Sequence, residues 1–541
     1  MNLHRSTFVQ ENWTAHPVPS TSYTRTRPTR RNAVSTVAWI TGAVSFVLCI
    51  APTFISYRPY EFSWDDSDYL LRAIRVSRAF WSGNVHGLGS AMVSGHAPIM
   101  TLFGLPWGTL TSKNAAGDCF VALAMVTALL AATCLYLLLR IGVKPIFLVI
   151  AGLCVGASLG PIQAGEHANH MHDLATRFLA DNVFAWATLA IVLLIPYEAR
   201  TAGSSIRGVM LRAILCGSIS SLGALTKVSF LYFIGLVVPV VVVIRLWRGG
   251  IRSALVWFIA FICSVAPVAV YFLRFGRSAF AQGEAASFGG LAEFYYVPLG
   301  KFLAATIFES PGLILSLMLI AVTCIYLAVK KRPSVLHPGL IALLIMFGYL
   351  AIVLASPSKQ IRYLFPAMVA VPFLLTVLAC DEEDSVPTPR ARLLAVIVFL
   401  GLAAAAAPLR HRPYQQSLSG AQAILAQAAR CNAKSIILAT DSPTLNVFLL
   451  NLASELSSSP SSQTSIRTLA YQAMSGAPIQ DDLDAIANSD MVVFQDAARL
   501  RPQFTNQRVP EYEQYVRRAG LLPARMEGDV NLYSACTALR K

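Results

Sequence analysis

Charge is scarce in this sequence. Only 13% of its 541 residues are Asp, Glu, Lys or Arg, against roughly 25% in soluble domains. Hydrophobic residues make up 55%, and the mean hydropathy is +0.57. A chain of this length with so few charges cannot cover a globular surface that faces water. The composition excludes a soluble protein and indicates one whose main solvent is lipid.

Other features are missing, and each absence removes a class of function. The ten cysteines show no pair spacing typical of metal sites. No clear internal repeat of the kind found in many transporters is present, and the C-terminal region has no glycine-rich phosphate loop. The net charge of +15 is spread in short runs between apolar blocks. This pattern follows the positive-inside rule and does not indicate nucleic-acid binding.

Apolar blocks of about 16–25 residues predict about eleven transmembrane helices. Their predicted limits are 34–56, 117–139, 145–163, 178–196, 210–226, 228–244, 253–273, 305–329, 339–356, 361–380 and 391–409. With the N-terminus inside, every predicted inner loop carries Lys or Arg and the C-terminus lies outside. We therefore predict a mainly α-helical, polytopic membrane bundle with an N-in/C-out topology.

Three regions follow along the chain. Residues 1–33 predict a disordered cytoplasmic tail, and 34–409 a membrane domain in which 57–116 is a first outer loop with interfacial helices. Residues 410–541 predict a small extracytoplasmic α/β domain. In it, helix-like segments at 418–431, 443–456 and 510–519 alternate with strand-like segments at 435–440, 491–495 and 530–534. This region contains Cys431 and Cys536. Both a disulfide between them and two free thiols fit the sequence.

Ionisable residues gather in the predicted outer loops. A charge at membrane depth costs on the order of 2.5–3.5 kcal/mol, so such residues persist mainly where they line a site. The set consists of Asp65, Asp66, Asp68, His96, Glu166, His167, His170, His172, Asp173, Arg177, Asp181, Lys227, Lys359 and Arg362. Acids and bases that converge on one membrane surface predict a functional site there.

Two smaller patterns lie in these outer loops. Arg72, Arg75 and Arg78 are three residues apart, so they share one face of the helix predicted over 69–81. They either contact lipid headgroups or bind the phosphate of a ligand. Glu166, His167 and His170 are candidate ligands for a divalent metal, because the two histidines are one helical turn apart. The alternative is a polar loop that binds no ion.

Five short motifs in a fixed order resemble those of GT-C glycosyltransferases. They match best the branch of protein O-mannosyltransferases and of the aminoarabinose transferases that modify lipid A. The motifs are Trp64-Asp65-Asp66-Ser67-Asp68-Tyr69, similar to D-[DE]-x-x-Y; His96-Ala97-Pro98, similar to H-P-P; Arg177 to Asp181, similar to a second acidic site; Leu225-Thr226-Lys227, similar to a T-K turn; and Lys359 to Pro366, similar to K-x-x-R-Y-x-x-P.

The resemblance assigns a role to each motif. It implies that Asp65 is the catalytic carboxylate, with Asp66 beside it and Asp181 as a second catalytic acid. It implies that the donor phosphate is bound by Lys227, Lys359, Arg362 and Tyr363. Further candidates are Tyr69, His96, Arg72 and Arg75. No cofactor is required on this reading, and a divalent metal is the alternative.

The resemblance also implies a reaction that needs both a carboxylate and positively charged side chains. A sugar passes from a polyprenyl-phosphate donor to an acceptor hydroxyl with inversion, so a base and cations for the departing phosphate are needed. The acceptor is an envelope glycan, lipid or protein, and membrane lipids surround the enzyme. The expected location is the bacterial inner membrane, with the site on its outer side. A lipid or glycolipid transporter or flippase is the alternative from another class.

Overall fold

The computed structural model describes most of the membrane helices and of the C-terminal domain. The described residues are 58–59, 64–92, 98–105, 115–159, 163–164, 167–168, 180–201, 205–277, 280–281, 296–309, 318, 320–322, 325, 337–379, 411–412, 415–442, 445–457, 464–469, 478–495, 508–525 and 530–534. The predicted tail 1–33, the predicted spans 34–56 and 391–409, and His96, Glu166 and His170 lie outside them.

The membrane domain is a bundle of α-helices. Its helices are α1 (Trp64–Trp81), α2 (Val85–Met92), α3 (Ile99–Leu102), α4 (Ala115–Ile141), α5 (Pro145–Leu159), α6 (Ala180–Arg200), α7 (Ile206–Thr226), α8 (Leu231–Phe275), α9 (Leu299–Glu309), α10 (Pro338–Ala355) and α11 (Phe365–Leu378). Short 3₁₀ turns precede α8 (Val228–Phe230) and α11 (Ile361–Leu364). Within the described residues, six helical segments are long and apolar enough to cross a membrane. The prediction of a polytopic helical membrane protein is confirmed.

Helix α6 is the centre of the bundle. All of its residues from Ala180 to Ala199 are buried, because α4, α8, α10 and α11 pack around it. A helix that is buried on every side needs apolar residues all around it. The middle of α6, from Phe184 to Ile195, contains no charged residue. Its two carboxylates lie near its ends, Asp181 in the first turn and Glu198 in the last. Each becomes the centre of a charged cluster.

Helix α8 is a hairpin that turns at Gly250. This glycine has φ +74°, in the left-handed region where other residues are strained. Arg245 and Trp257 lie on either side of it and both contact Glu198. In a straight helix their twelve-residue separation would be about 18 Å, so the chain must reverse between them. The two separate spans predicted at 228–244 and 253–273 match the two arms of this hairpin.

Charged residues that were predicted on the inner side do meet at one end of the bundle. Arg200 donates a hydrogen bond to the Ile141 carbonyl, and Arg248 donates one to the Ala199 carbonyl. At this end the side chains of Glu198, Arg212, Arg245 and Trp257 form a cluster that we call the sealed end. Its charged side chains are no more than 10% exposed.

The C-terminal domain contains a five-stranded sheet. Its elements are α12 (Gln415–Arg430), β5 (Ser435–Leu438), α13 (Val447–Leu456), β6 (Ser465–Thr468), α14 (Ile479–Ala487), β7 (Met491–Gln495), α15 (Val509–Arg518), β8 (Leu522–Arg525) and β9 (Val530–Ser534). Two-residue strands β1 to β4 lie earlier in the chain, at Arg58–Pro59, Gln163–Ala164, His167–Ala168 and His411–Arg412. The sheet order is β6-β5-β7-β9-β8, with β6, β5 and β7 parallel and the last two pairings antiparallel.

Both faces of this sheet are covered, as the alternation of its apolar residues requires. In β5, Ile436 and Leu438 belong to the same core as the buried residues of α12 and α13. Ile437 between them belongs to a second core with Ile486 of α14 and Tyr512 of α15. The α/β character predicted for this region is therefore found.

One cysteine of this domain is oxidised. Cys431 is disulfide-bonded, whereas the other described cysteines, all in the membrane domain, are free thiols. Its partner therefore lies outside the described residues, as Cys536 does.

Candidate active site

The first functional pair joins Asp65 and Arg362, which are 297 residues apart in sequence. Asp65 lies in the first turn of α1, where the helix dipole favours an acid. Arg362 lies in the 3₁₀ turn that leads into α11. The guanidinium Nη1 of Arg362 donates a hydrogen bond to Oδ2 of Asp65. The side chains are 24% and 28% exposed, so the pair is accessible to a ligand.

A second pair joins Lys227 and Asp181. Lys227 lies where α7 ends, with an extended backbone conformation, and its ammonium donates a hydrogen bond to Oδ1 of Asp181. The Asp181 side chain is 3% exposed and that of Lys227 is 21% exposed. The lysine also lies over the ring of Phe184, with Nζ 5.6 Å from the centroid. The carboxylate is thus enclosed by the protein, while the cation reaches its surface.

Tyr363 links the two pairs. Its ring centroid is 5.3 Å from the Lys227 ammonium and 5.6 Å from the Arg362 guanidinium carbon. Its backbone carbonyl accepts a hydrogen bond of 3.0 Å from the Tyr349 hydroxyl, which fixes the 3₁₀ turn against α10. Both cations therefore lie around one aromatic ring. We call the cluster of Asp65, Asp181, Lys227, Arg362 and Tyr363 the site end.

Tyr69 lies beside both carboxylates of the site end. It is one turn after Asp65 on α1 and only 7% exposed. Burial raises the pKa of its hydroxyl well above the usual value, and the charge of Asp65 raises it further. Arg362 acts in the opposite direction, while Asp181 and Asp68 add to the increase. The phenol therefore stays protonated and can donate a hydrogen bond at any ordinary pH.

The wall behind Lys227 is aromatic, and sequence reasoning did not find it. The ring of Phe184 contacts the rings of Phe230 and Tyr349, with centroids 5.8 and 6.3 Å apart. A side chain at Gly223 would collide with Phe230, because a Cβ there would be 2.3 Å from its ring. Aromatic residues and a glycine inside apolar spans look like ordinary packing, so the sequence offered no signal for this wall.

The remaining predicted residues lie around the edge of the site or away from it. Asp66 is fully buried, and its carboxylate accepts a hydrogen bond of 3.1 Å from the Ser67 amide. Lys359 is 8% exposed, with its ammonium 5.8 Å from the ring centroid of Tyr296.

The three arginines of the α1 stripe are paired with carboxylates. Arg72 donates to both carboxylate oxygens of Asp68, at 2.8 Å each. Arg75 donates to Glu455 of α13 at 3.0 Å, and Arg78 contacts the same carboxylate. The C-terminal domain thus packs against this face of α1, and the contact of these arginines with lipid headgroups or with the donor phosphate stays a prediction.

The candidate metal ligands gain no support. His167 belongs to strand β3, but its side chain lies outside the described residues, as do Glu166, His170 and His96. Among the side chains that the structure describes, no group of three or more His, Cys, Asp or Glu could hold a metal ion. The charges that do meet at the site end are two cations and two carboxylates, a set suited to binding a phosphate and accepting a proton.

The fold is similar to that of a protein of known structure. ArnT from Cupriavidus metallidurans bound to undecaprenyl phosphate matches with a TM-score of 0.51 and 14% identity, over 92% of this chain and 98% of that chain. The same protein in the apo state matches with a TM-score of 0.53 and 14% identity, over 94% and 99%. No protein-family model and no curated protein matches the sequence. The chain thus shares the fold of ArnT, which agrees with the fold that the five motifs predicted.

Proposed function

We propose that this chain is a membrane glycosyltransferase that transfers a sugar from a polyprenyl-phosphate donor to an acceptor hydroxyl, with inversion. The observation that carries the proposal is the site end. Four distant segments bring Asp65, Asp181, Lys227 and Arg362 together at one end of a membrane bundle. ArnT, which shares the fold, was crystallised with undecaprenyl phosphate, and this supports the same class of donor here.

The donor phosphate binds between Lys227 and Arg362 in this proposal. Without donor, each cation is paired with a carboxylate, which lowers the cost of keeping it partly buried. A phosphate oxygen can replace or share these contacts, because arginine and lysine both have further N–H donors. Tyr363 keeps the two cations around one centre. The polyprenyl chain stays in the lipid beside the bundle.

Asp65 is the base of the reaction. The acceptor hydroxyl oxygen attacks the anomeric carbon on the side opposite the phosphate, and its proton passes to the Asp65 carboxylate. The bond between the anomeric carbon and the phosphate oxygen breaks, and its electron pair leaves with the polyprenyl phosphate. Lys227 and Arg362 stabilise the charge that grows there. Asp181 positions Lys227, and the protonated Tyr69 donates to a carboxylate or to the sugar.

The proposed orientation places the site end on the exterior of a bacterial inner membrane. Basic residues at the opposite end, including Arg200 and Arg248, agree with a cytoplasmic location. The disulfide at Cys431 supports an oxidising environment for the C-terminal domain. The acceptor is an envelope molecule reached from that side.

Replacement of the base tests the proposal. Asp65→Asn keeps the size of the side chain but cannot accept the proton, so transfer from a labelled polyprenyl-phosphate sugar should fall about 10²–10⁴-fold. The variant should still bind undecaprenyl phosphate, because the cations are unchanged. Asp481→Asn, at an exposed position on α14, is the matched control and should keep full activity. Normal transfer by a well-folded Asp65→Asn protein would disprove this role.

A further inference from the structure

A groove lies between helix α1, which carries the proposed base Asp65, and the C-terminal domain. It is separate from Lys227 and Arg362, the cations proposed to bind the donor phosphate. Helices α1 and α2 form one wall and α13 the other, around a volume of 630 Å³, which is within the range of small-ligand sites. Polar and charged side chains dominate its lining: Asp68, Arg72, Arg75, Arg78, Asn451 and Glu455. Domain junctions are common positions for ligand sites.

The groove reaches Asp68, which is about one helical turn from Asp65, and Asp65 itself is not among its lining residues. Residues 65, 68, 72, 75 and 78 follow the three- and four-residue spacing of one helix face, so the proposed base continues the stripe that lines the groove. Lys227 and Arg362 are not among the lining residues. A molecule in the groove would therefore approach the base from a different direction than the donor phosphate.

The groove contains donors and acceptors in close alternation. Arg72 is paired with Asp68, and Arg75 and Arg78 are both paired with Glu455. Arg78 also donates to the Glu455 backbone carbonyl at 3.0 Å. Asn451 and the ring of Phe448 lie on the same wall. Guanidinium groups, carboxylates, an amide and an aromatic ring together offer every contact that a sugar ring can make, since each hydroxyl both donates and accepts.

We infer that this groove binds the acceptor and that the acceptor is a glycan, an inference that rests on the proposed transferase function. The carboxylates of Asp68 and Glu455 add hydrogen-bond acceptors to the arginine donors of the lining. A glycan hydroxyl can use both kinds of partner, whereas an anionic group can use only the donors. A peptide would bring apolar side chains to a lining that is mainly polar. A glycan hydroxyl satisfies both partners of each pair.

The product of transfer tests the acceptor class. Full-length protein in nanodiscs is given a labelled polyprenyl-phosphate sugar and three envelope fractions from cells that carry the gene: neutral polysaccharide, anionic lipid and protein. Label in the polysaccharide that glycosidases release and proteases do not supports the inference. Label in the lipid or protein fraction overturns it while the transferase function stands. Label in none of them, with donor still bound, contradicts the transferase function itself.

Glu455→Gln gives opposite results for the two kinds of acceptor. For a glycan, loss of the carboxylate removes hydrogen bonds to a charged group, so the acceptor KM should rise about tenfold while the donor KM stays constant. For an anionic acceptor, removing the repelling carboxylate should lower the acceptor KM, and this result would overturn the inference. Glu511→Gln, at an exposed position of α15, should change neither constant.

Discussion

The two ends of the helical bundle use the same residue types for different purposes. Helices α6 and α7 contribute a carboxylate and a cation to each end: Asp181 with Lys227 at the site end, Glu198 with Arg212 at the sealed end. At the site end the Lys227 side chain is 21% exposed. At the sealed end Glu198 is 1% exposed and Arg245 is fully buried. Because its cation is partly exposed, the site end can exchange a carboxylate partner for a ligand. The sealed end is buried and cannot.

The sealed end gains its stability from internal partners alone. Glu198 is paired with Arg212 and Arg245 and accepts a hydrogen bond of 3.1 Å from the Trp257 indole. It ties α6 to α7 and to both arms of the α8 hairpin. A buried charge is costly once its partner is gone, so this cluster fixes the helices at the end of the bundle opposite the site end. The site end can therefore keep charges that a ligand is able to displace.

The largest expected effect is a loss of stability at the sealed end. Glu198→Ala leaves two buried arginines without their carboxylate, so the free energy of unfolding should fall by about 3–5 kcal/mol. Denaturant titration in mixed micelles measures it, and Glu511→Ala at an exposed position is the control. Transfer per folded molecule should be nearly unchanged. An equally stable variant would contradict a structural role for this end.

The corresponding change at the site end should affect activity as well as stability. Lys227→Met removes one of the two cations proposed to bind phosphate, so transfer should fall about 10²–10³-fold. The free energy of unfolding should fall by less than in Glu198→Ala, because only one buried charge, that of Asp181, loses its cation. Labelled-donor kinetics and the same titration measure the two quantities. Lys301→Met, at an exposed position of α9, is the control. A Lys227 variant that lost stability but kept its rate would reverse the comparison.

A smaller effect is expected from Trp257→Phe. It removes the indole N–H that donates to Glu198 but keeps an aromatic ring against Phe261, whose centroid is 5.4 Å away. A hydrogen bond to a charged group contributes about 1.5–3 kcal/mol, so the free energy of unfolding should fall by that amount. Trp247→Phe, where the indole is 74% exposed, should have little effect. Equal losses in both variants would contradict the assigned hydrogen bond.

The smallest effect concerns pH and Tyr69, which lies outside the six candidate membrane spans. Its folded-state pKa is raised, mainly by burial. The folded protein therefore binds the phenol proton more tightly than the unfolded chain does. The resulting stability is complete below the ordinary pKa of about 10 and is lost as pH rises above it, by about 1.4 kcal/mol per pH unit. Unfolding titrations between pH 9 and about 11 should show this slope, and Tyr69→Phe should remove it.

The sequence predicted the site end better than the sealed end for a physical reason. Asp65, Asp181, Lys227 and Arg362 lie at the limits of apolar segments, and the alternation of spans places such limits on one side. Glu198 lies at a predicted inner end too, but Arg212 and Arg245 look like ordinary orientation charges. Only the tertiary structure shows that both arginines are buried and paired with the carboxylate of Glu198.

Prediction of the C-terminal domain succeeded where local patterns are strong. Strands β5, β7 and β9 and helices α12, α13 and α15 were expected, because their apolar residues are periodic. The edge strands β6 and β8 and helix α14 were not. Strand β6 has the sequence Ser-Ile-Arg-Thr and pairs on one side only. Such a short strand is specified by its neighbour and has no pattern of its own.

The pairing of two cations around Tyr363 has a consequence for turnover. The donor is a phosphodiester with one negative charge, whereas the spent carrier is a monoester with nearly two at neutral pH. Two adjacent cations attract the second species more strongly. The enzyme proposed here would thus bind its used carrier more tightly than its fresh donor. Added polyprenyl phosphate would then act as a competitive inhibitor.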